Sequence, residues 1–441
     1  MKKFLSLVLA LVMTMSLVTV SAGAKDFTDD SEITYKEAVD VISALGVVDG
    51  YSDGDFRPDD VLTRGAAAKI ICNLILGPTT ASALSASSAP FKDVPVSNTF
   101  AGYITYCAQE KIINGYPDGT FRPTGTLTGF AFLKMLLSAL GYDSSIEGYT
   151  GPNWTVNVAG RAYEIGLTAG NDEFVGAQAC TREQAALYAV NTLKTTLVEY
   201  TDRGSEITVN GAVISTAASV PTYVTSSVYN QATSINADRD NSGDYTVEFA
   251  ERYQPDLTMD RDTDDFGRPS YTWAWKNRDI GTYVDYSLMV AEYTTGVSGR
   301  ELYNVLTAST IRNADLDVYV DGVEPDEADT IDKSDLSRSN QDDVGVTDNG
   351  VLTQVFVDTD ANDGDGLITI ASINTWLAQA TANYSESKEY APLKVFTGKG
   401  GANTTYNVDV EDVANVADVA DEAFYLVNIS YKDSNRGEVV A

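Results

Sequence analysis

The spacing of apolar residues divides the chain into three stretches. From Phe4 to Val20 the apolar run is nearly unbroken, with Lys2-Lys3 before it and Ser21-Ala22-Gly23-Ala24 behind it. A basic start, an apolar centre and small residues at a cleavage point are the signature of an export signal. Residues 1–24 are therefore expected to be removed and the rest to act outside the cytoplasm. A membrane anchor is the alternative, since about 20 apolar residues can just span a bilayer. The Thr and Ser inside the run and the small residues at its end favour cleavage. No later run is long enough to span.

The second stretch, to about residue 195, has helical spacing. Ala38, Val41, Ile42 and Leu45 form one apolar stripe, and Ala67, Ile70, Ile71 and Leu74 form the next. Tyr103, Ile104 and Cys107 follow, then Phe132, Met135, Leu136 and Leu140, then Val158, Ala162 and Ile165, then Ala185, Tyr188, Ala189 and Leu193. Steps of three and four residues predict six helices. Thr63, Thr128 and Thr181 stand where N-caps belong. Thr34 with Glu37, and Thr181 with Gln184, have the spacing of a capping box.

From about Tyr200 alternation and Thr, Val and Tyr take over. Strands are expected near Glu206–Val209, Tyr245–Glu251, Ser270–Trp275, Gly281–Tyr286, Leu316–Val320, Leu352–Val357, Leu367–Ser372, Leu393–Phe396, Tyr406–Val410 and Ala423–Tyr431. Asn210-Gly211, Asp321-Gly322, Asn349-Gly350 and Asp363-Gly364 supply turns between them. Ser298 and Glu301 cap one short helix over Leu302–Leu306.

The helical stretch also repeats itself. Gly50-Tyr51-Ser52-Asp53-Gly54-Asp55-Phe56-Arg57-Pro58 recurs 65 residues later as Gly115-Tyr116-Pro117-Asp118-Gly119-Thr120-Phe121-Arg122-Pro123, and Leu62-Thr63 recurs as Leu127-Thr128. A worn third copy runs Gly170-Asn171-Asp172-Glu173-Phe174, then Cys180-Thr181-Arg182-Glu183. Each copy reads as helix, loop, helix, with an Asp-Gly-type turn and an aromatic plug in the loop. One such pair cannot bury its own apolar face, whereas three stacked together can. The expected units are residues 25–84, 85–144 and a degenerate 145–200, followed by a β-rich acidic region over 201–441 that forms one or two domains.

Composition narrows the function. The chain holds 30 Lys and Arg against 63 Asp and Glu, a formal charge of −33. Residues 25–200 carry a net of −9 and residues 201–441 a net of −26. So acidic a chain is repelled by nucleic-acid phosphates. Histidine is absent, which removes Ser-His-Asp and Cys-His catalysis and His-ligated metals. Cys72, Cys107 and Cys180 are an odd number at wide spacing, so they read as small core residues within helical patterns and not as a disulfide framework. No carboxylate pair is marked out by spacing, so no catalytic residue is assigned.

The repeated segments resemble S-layer homology repeats. That pattern opens with F-x-D-V, passes through G-Y-x-D-G-x-F-x-P and enters a second helix at T-R-A-E. Phe91-Lys92-Asp93-Val94 matches the opening, Phe27-Thr28-Asp29-Asp30 nearly so, and both nonapeptides match the loop. The resemblance covers residues 26–195, roughly 40% of the chain. It implies a multidomain protein: an N-terminal all-α array of three repeats in a pseudo-threefold helical spindle, then a mostly β C-terminal region. It also implies binding of an anionic secondary cell wall polymer, one bearing a pyruvate ketal, in grooves between repeats. Arg64 and Arg182 hold the motif's arginine position, where a guanidinium can grip a carboxylate with two parallel bonds and a helix N-terminus adds positive potential. By the same resemblance Gly50 and Gly115 would let a sugar approach the backbone, Asp93 would belong to the site, and Trp154 would stack on a sugar face or serve the core. Repeat two reads Thr128-Gly129-Phe130, without an arginine, so one or two competent grooves are expected.

Acidic turns raise calcium as a possible ligand of the second half. Asp238, Asp240 and Asp244 lie in one such turn, and Asp360, Asp363 and Asp365 in another. Neither places a bidentate Glu at the twelfth loop position, and a solvated turn is the competing reading. The leading function is a wall-anchored structural protein whose identical copies could build a surface array. An anchored adhesin or glycan-binding protein is the alternative, and an anchored hydrolase comes third.

Overall fold

The computed structural model describes residues 25, 27–209, 212–225, 235, 246–323, 331–361, 364–396, 404–409, 413, 416–432 and 437–440. The chain forms two compact units. One spans Gly23–Met259 with Trp273–Ile280; the other takes Asp260–Thr272 and Gly281–Ala441.

The first unit is built on six helices: α1 (Lys36–Ala44), α2 (Arg64–Leu76), α3 (Ala101–Gln109), α4 (Gly129–Ala139), α5 (Trp154–Glu164) and α6 (Arg182–Leu193). Three begin at the expected threonines. The hydroxyls of Thr63, Thr128 and Thr181 accept from Ala66, Ala131 and Gln184 N–H, and Gln184 completes its capping box. Each cap occupies an otherwise orphaned first-turn donor.

The helices pack cyclically: α1 on α6, α2 on α3, α4 on α5. Just before each capped helix the backbones close a ring. Leu62 N–H donates to Cys180 O at 2.8 Å, Cys180 N–H to Leu127 O at 2.9 Å and Leu127 N–H to Leu62 O at 2.9 Å. All three residues are buried. Cys180 thus lies in this ring and not in a helical pattern, while Cys72 and Cys107 sit inside α2 and α3 as expected.

Two local expectations give way to tertiary partners. The Thr34–Glu37 box does not form. The N-cap of α1 is Tyr35, without a side-chain cap bond. Glu183 of α6 accepts from Thr34 N–H at 2.9 Å and Tyr35 N–H at 3.4 Å instead, and Glu37 accepts from the buried Trp273 indole at 2.8 Å. The strand expected over Tyr245–Glu251 is, in its described part, the approach to helix α7 (Phe249–Tyr253), opened by a Glu248–Glu251 capping box. Its Phe249 and Ala250 are buried, and α7 packs against α2 and α6. Gln254 then donates to Leu74 O at 2.8 Å and Asn73 O at 3.3 Å, capping the end of α2. The helical unit accordingly extends well past the boundary expected at residue 200.

The second unit is mostly β. Among the described residues its main sheet has eight strands, nearly all antiparallel, organised on the long strand Leu367–Ala380. The first half of that strand pairs antiparallel with Val351–Asp358 and parallel with Asp315–Val320. The second half pairs with Tyr390–Phe396 and Phe424–Ser430. Two apolar clusters lie along it, one including Leu302, Leu306, Val355 and Ile370, the other Ala378, Val395, Val427 and Ile429. The predicted helix appears as the first part of α8 (Gly299–Asn313), with its Ser298–Glu301 box, and α8 is broken at Thr307, where φ is 64° and ψ 152°. A buried ion pair, Arg268 Nε to Asp264 at 2.7 Å, is continued through Gln354 to Glu292. A buried charge survives only when paired in this way.

Glu183 makes the fold pH-dependent. Burial is the largest influence on its carboxyl and raises its pKa above the ordinary 4.5; Asp59 raises it too, while the Thr34 and Tyr35 N–H groups pull it back. A carboxyl whose folded pKa is raised stabilises the fold fully below its unfolded value and loses that stability as pH rises through the folded value. Wild type should therefore lose melting temperature relative to Glu183→Gln as pH climbs from about 4.5 toward neutrality. Thermal melts across that range check this, and a constant difference would show that Glu183 does not titrate there.

Candidate anion-binding corners

The ring of backbone bonds sets each second helix down beside a loop of another repeat. At the start of α2, Arg64 N–H donates to Gly125 O at 2.9 Å and Gly65 N–H to Pro123 O at 2.8 Å. At the start of α6, Arg182 N–H donates to Asp60 O at 2.9 Å and Glu183 N–H to Pro58 O at 3.1 Å. At the start of α4, Gly129 N–H donates to Gln178 O at 3.0 Å and Phe130 N–H to Gly176 O at 2.8 Å. With the threonine caps, these bonds occupy the first N–H groups of each helix. The helix N-termini therefore offer no open amide cradle for an anion, and the side chain after the cap must supply the grip.

At two corners that side chain is an arginine, and the geometry repeats. Arg64 Nε donates to Phe121 O at 2.7 Å and Nη2 to Asn114 O at 3.3 Å. Arg182 Nε donates to Phe56 O at 2.9 Å and Nη2 to Asp49 O at 2.9 Å. In each case one carbonyl contact comes from the residue before the loop glycine, Gly115 or Gly50, and the tyrosine after that glycine turns its ring toward the guanidinium. The Arg64 guanidinium carbon lies 5.0 Å from the Tyr116 ring centroid, and that of Arg182 lies 4.8 Å from Tyr51. A second arginine flanks each ring: Arg122 at 4.2 Å from Tyr116 and Arg57 at 4.1 Å from Tyr51. The flanking arginines pair with Asp118 and Asp53. Arg64 and Arg182 are half-buried and make no ion pair among the described residues. Burial lowers both guanidinium pKa values, yet arginine stays charged.

The other residues named from the sequence have these surroundings. Asp93 accepts from Phe121 N–H and Arg122 N–H, each at 2.7 Å. Burial would raise its pKa, but these backbone donors bring the net shift below the usual aspartate value. Asp29 likewise accepts from Phe56 N–H and Arg57 N–H, at 2.7 and 2.6 Å. Both carboxylates thus shape the loops that the arginines hold. Gly50 and Gly115 have their Cβ side filled by Phe27 and Phe91: an added Cβ would lie 2.6 Å and 2.4 Å from those rings. Trp154 opens α5, half-buried, with the Lys134 ammonium 5.8 Å from its ring centroid. Burial, and then the charge of Arg64, lowers the Lys134 pKa. At the third corner Gly129 replaces the arginine, and Phe130 packs edge-on to Phe174 at 5.8 Å.

Tyr51, Tyr116, Arg57 and Arg122 were not singled out from the sequence. Their signal was available, since the nonapeptide repeats Tyr at its second position and Arg at its eighth. Of the acidic turns, Asp238, Asp240, Asp244 and Asp363 lie outside the described residues. Asp360 and Asp365 are exposed, and Asp360 accepts from Thr359 Oγ1. Among the described residues no group of three or more Asp, Glu or Cys side chains is arranged to hold a metal ion, and no helix is long and apolar enough to cross a membrane.

The glycine loops, capped second helices and arginine corners define a repeated helical domain. The model of the S-layer homology domain matches residues 26–68 and 90–133, and the chain is a secreted, cell-surface protein carrying such domains. It is 27% identical over 214 residues to a surface layer protein of Brevibacillus choshinensis, covering 48% of this chain and 18% of that protein. It is 38% identical over 98 residues to a cellulosome-anchoring protein of Acetivibrio thermocellus, covering 22% of each. It is 35% identical over 106 residues to an endoglucanase of Bacillus sp. strain KSM-635, covering 23% of this chain and 11% of the enzyme. The chain thus spans less than a quarter of each relative's length.

Gly115→Ala should cost about 1–3 kcal/mol, because the new methyl must displace the Phe91 ring and approach Thr120 O. Gly160→Ala, in α5 with nothing within 4 Å of its Cβ position, should be neutral or stabilising by up to about 1 kcal/mol. Urea unfolding of both variants checks the contrast. Equal midpoints would mean that the loop yields to the methyl without loss.

Proposed function

We propose that the helical unit fastens the protein non-covalently to the bacterial wall by gripping an anionic, ketal-bearing secondary wall polymer at the Arg64 and Arg182 corners. The observation that carries this is the pair of equivalent, half-buried guanidinium groups that make no ion pair among the described residues and are held instead by backbone carbonyls of the glycine loops. Backbone carbonyls hold one edge of each, leaving Nη1 to meet a carboxylate. Lys134 and Trp154 extend the Arg64 corner with a second cation and an aromatic face.

The three helix pairs act as one three-repeat spindle in this reading. The closed ring through Leu62, Cys180 and Leu127 supports it, as does the cyclic helix packing. The β unit then serves as the structural part of a surface layer whose subunits are copies of this chain, with no catalytic role. Absence of histidine and the name of the Brevibacillus relative support that assignment. Its acidic turns would take calcium on assembly.

The test uses the secreted chain and purified wall sacculi. Wild type should sediment with sacculi that retain the polymer and stay soluble with polymer-stripped peptidoglycan. The Arg64→Ala, Arg182→Ala double variant should bind at least about tenfold more weakly, the loss of one charged contact of roughly 1.4 kcal/mol or more, with unchanged helical circular dichroism. Equal binding to stripped peptidoglycan would refute polymer recognition, and undiminished affinity of the double variant would remove the arginines from the site.

A further inference from the structure

We propose that Cys72 and Cys107 are joined by a disulfide in the secreted protein, stapling α2 to α3 across two repeats. Their sulfurs face each other at 3.6 Å, and both residues are fully buried. Each thiol otherwise meets only a backbone carbonyl, Tyr103 O at 3.6 Å and Ala68 O at 3.7 Å, and such thiol bonds are weak. Cys180 sits in the backbone ring with its sulfur 3.5 Å from Thr181 O. Of the three possible pairings, the geometry thus selects one. A disulfide needs the sulfurs about 2.05 Å apart, so side-chain rotation by both residues has to close roughly 1.5 Å. Helices α2 and α3 are already packed together. A cell-surface protein acts where thiols are not kept reduced.

The chemistry is thiol–disulfide exchange. One cysteine thiolate attacks the disulfide of an extracytoplasmic oxidant, either a protein or a glutathione disulfide, and expels one of its sulfurs as a thiol. The second cysteine then displaces the other. Two protons and two electrons leave the Cys72–Cys107 pair, and the oxidant departs as two thiols. In the closed fold the Cys107 contact and burial hold the Cys72 thiol well above its ordinary pKa. Exchange therefore belongs to the folding chain, before the core closes, and the same burial afterwards shields the bond from reductants.

The staple has a local consequence. Arg64 opens α2, and α3 leads into the Asn114–Arg122 loop that Arg64 holds. A covalent link between these two helices fixes both sides of that corner. The bond also closes a loop spanning 35 positions, which restricts the unfolded chain.

The secreted full-length chain, denatured without reductant and alkylated, should take up one label, at Cys180. Peptide mapping should yield a crosslinked Cys72–Cys107 peptide whose mass is lower by two hydrogens. Reductant should raise the labels to three and lower the melting temperature. Cys180→Ser should keep the crosslink and take up no label before reduction, and Cys107→Ser should lose the reductant's effect on melting. Three labelled cysteines in the unreduced secreted chain, or a crosslink through Cys180, would overturn the proposal.

Discussion

Three backbone hydrogen bonds govern the helical unit. Once Leu62, Cys180 and Leu127 are tied N–H to carbonyl in a closed ring, each following threonine begins its helix beside a loop from another repeat. The first amides of that helix then bond to the loop. Whatever side chain follows the threonine is delivered to one position relative to the loop's glycine and aromatic. The three corners share this backbone arrangement, and the residue delivered to that position is Arg64, Gly129 or Arg182. A buried amide left unpaired would cost as much as a lost hydrogen bond, so the ring cannot open at one corner without disturbing the other two.

That delivery explains how a positive site persists in so acidic a protein. Several carboxylates around the corners are otherwise engaged. Asp29 and Asp93 each take two backbone amides from the loops, while Asp53 and Asp118 pair with the outer arginines. The inner arginines are held by carbonyls, which fix their direction without neutralising their charge. The tyrosines between inner and outer arginines contribute ring faces that attract both cations. Charge on the loops is thus spent on shaping them.

Much of what depends on short sequence distance was legible in advance. The threonine caps, the six helices, the arginine positions and the Asp-Gly loops follow from local hydrogen bonding and a period near 3.6 residues. What was hidden depends on distant partners. Glu183 caps α1 from 149 residues away, which releases Glu37 to the Trp273 indole. Gln254 caps α2 from about 180 residues away, so a segment with a β-like pattern serves the helical unit. The repeated glycines were visible too, but their reason was not: the space above each is filled by the phenylalanine of its own repeat's opening motif.

The long strand of the β unit shows a similar division. Alternation marked its first six residues, because there Ile368 and Ile370 enter one core. Beyond Ser372 the pattern is broken by Asn374, yet the strand continues to Ala380. Asn374 stands at a seam, after the parallel pairing to Asp315–Val320 ends at Ser372 and before the pairing to Phe424–Ser430 begins at Thr375. On that edge of the strand its backbone groups have no ladder partner, and side chains supply them. Asp321 accepts from Asn374 N–H at 2.7 Å and from its side-chain amide at 2.8 Å, and Asn428 donates to Asn374 O at 2.9 Å. Asp321 can reach because it turns with Gly322 in the left-handed region, at φ of 49° and 82°, where Asp and Gly pay least. A polar residue that reads as the end of a strand is therefore the joint that lets one strand serve two cores. The two apolar clusters belong to one continuous sheet, because separating them would strand both backbone groups of Asn374.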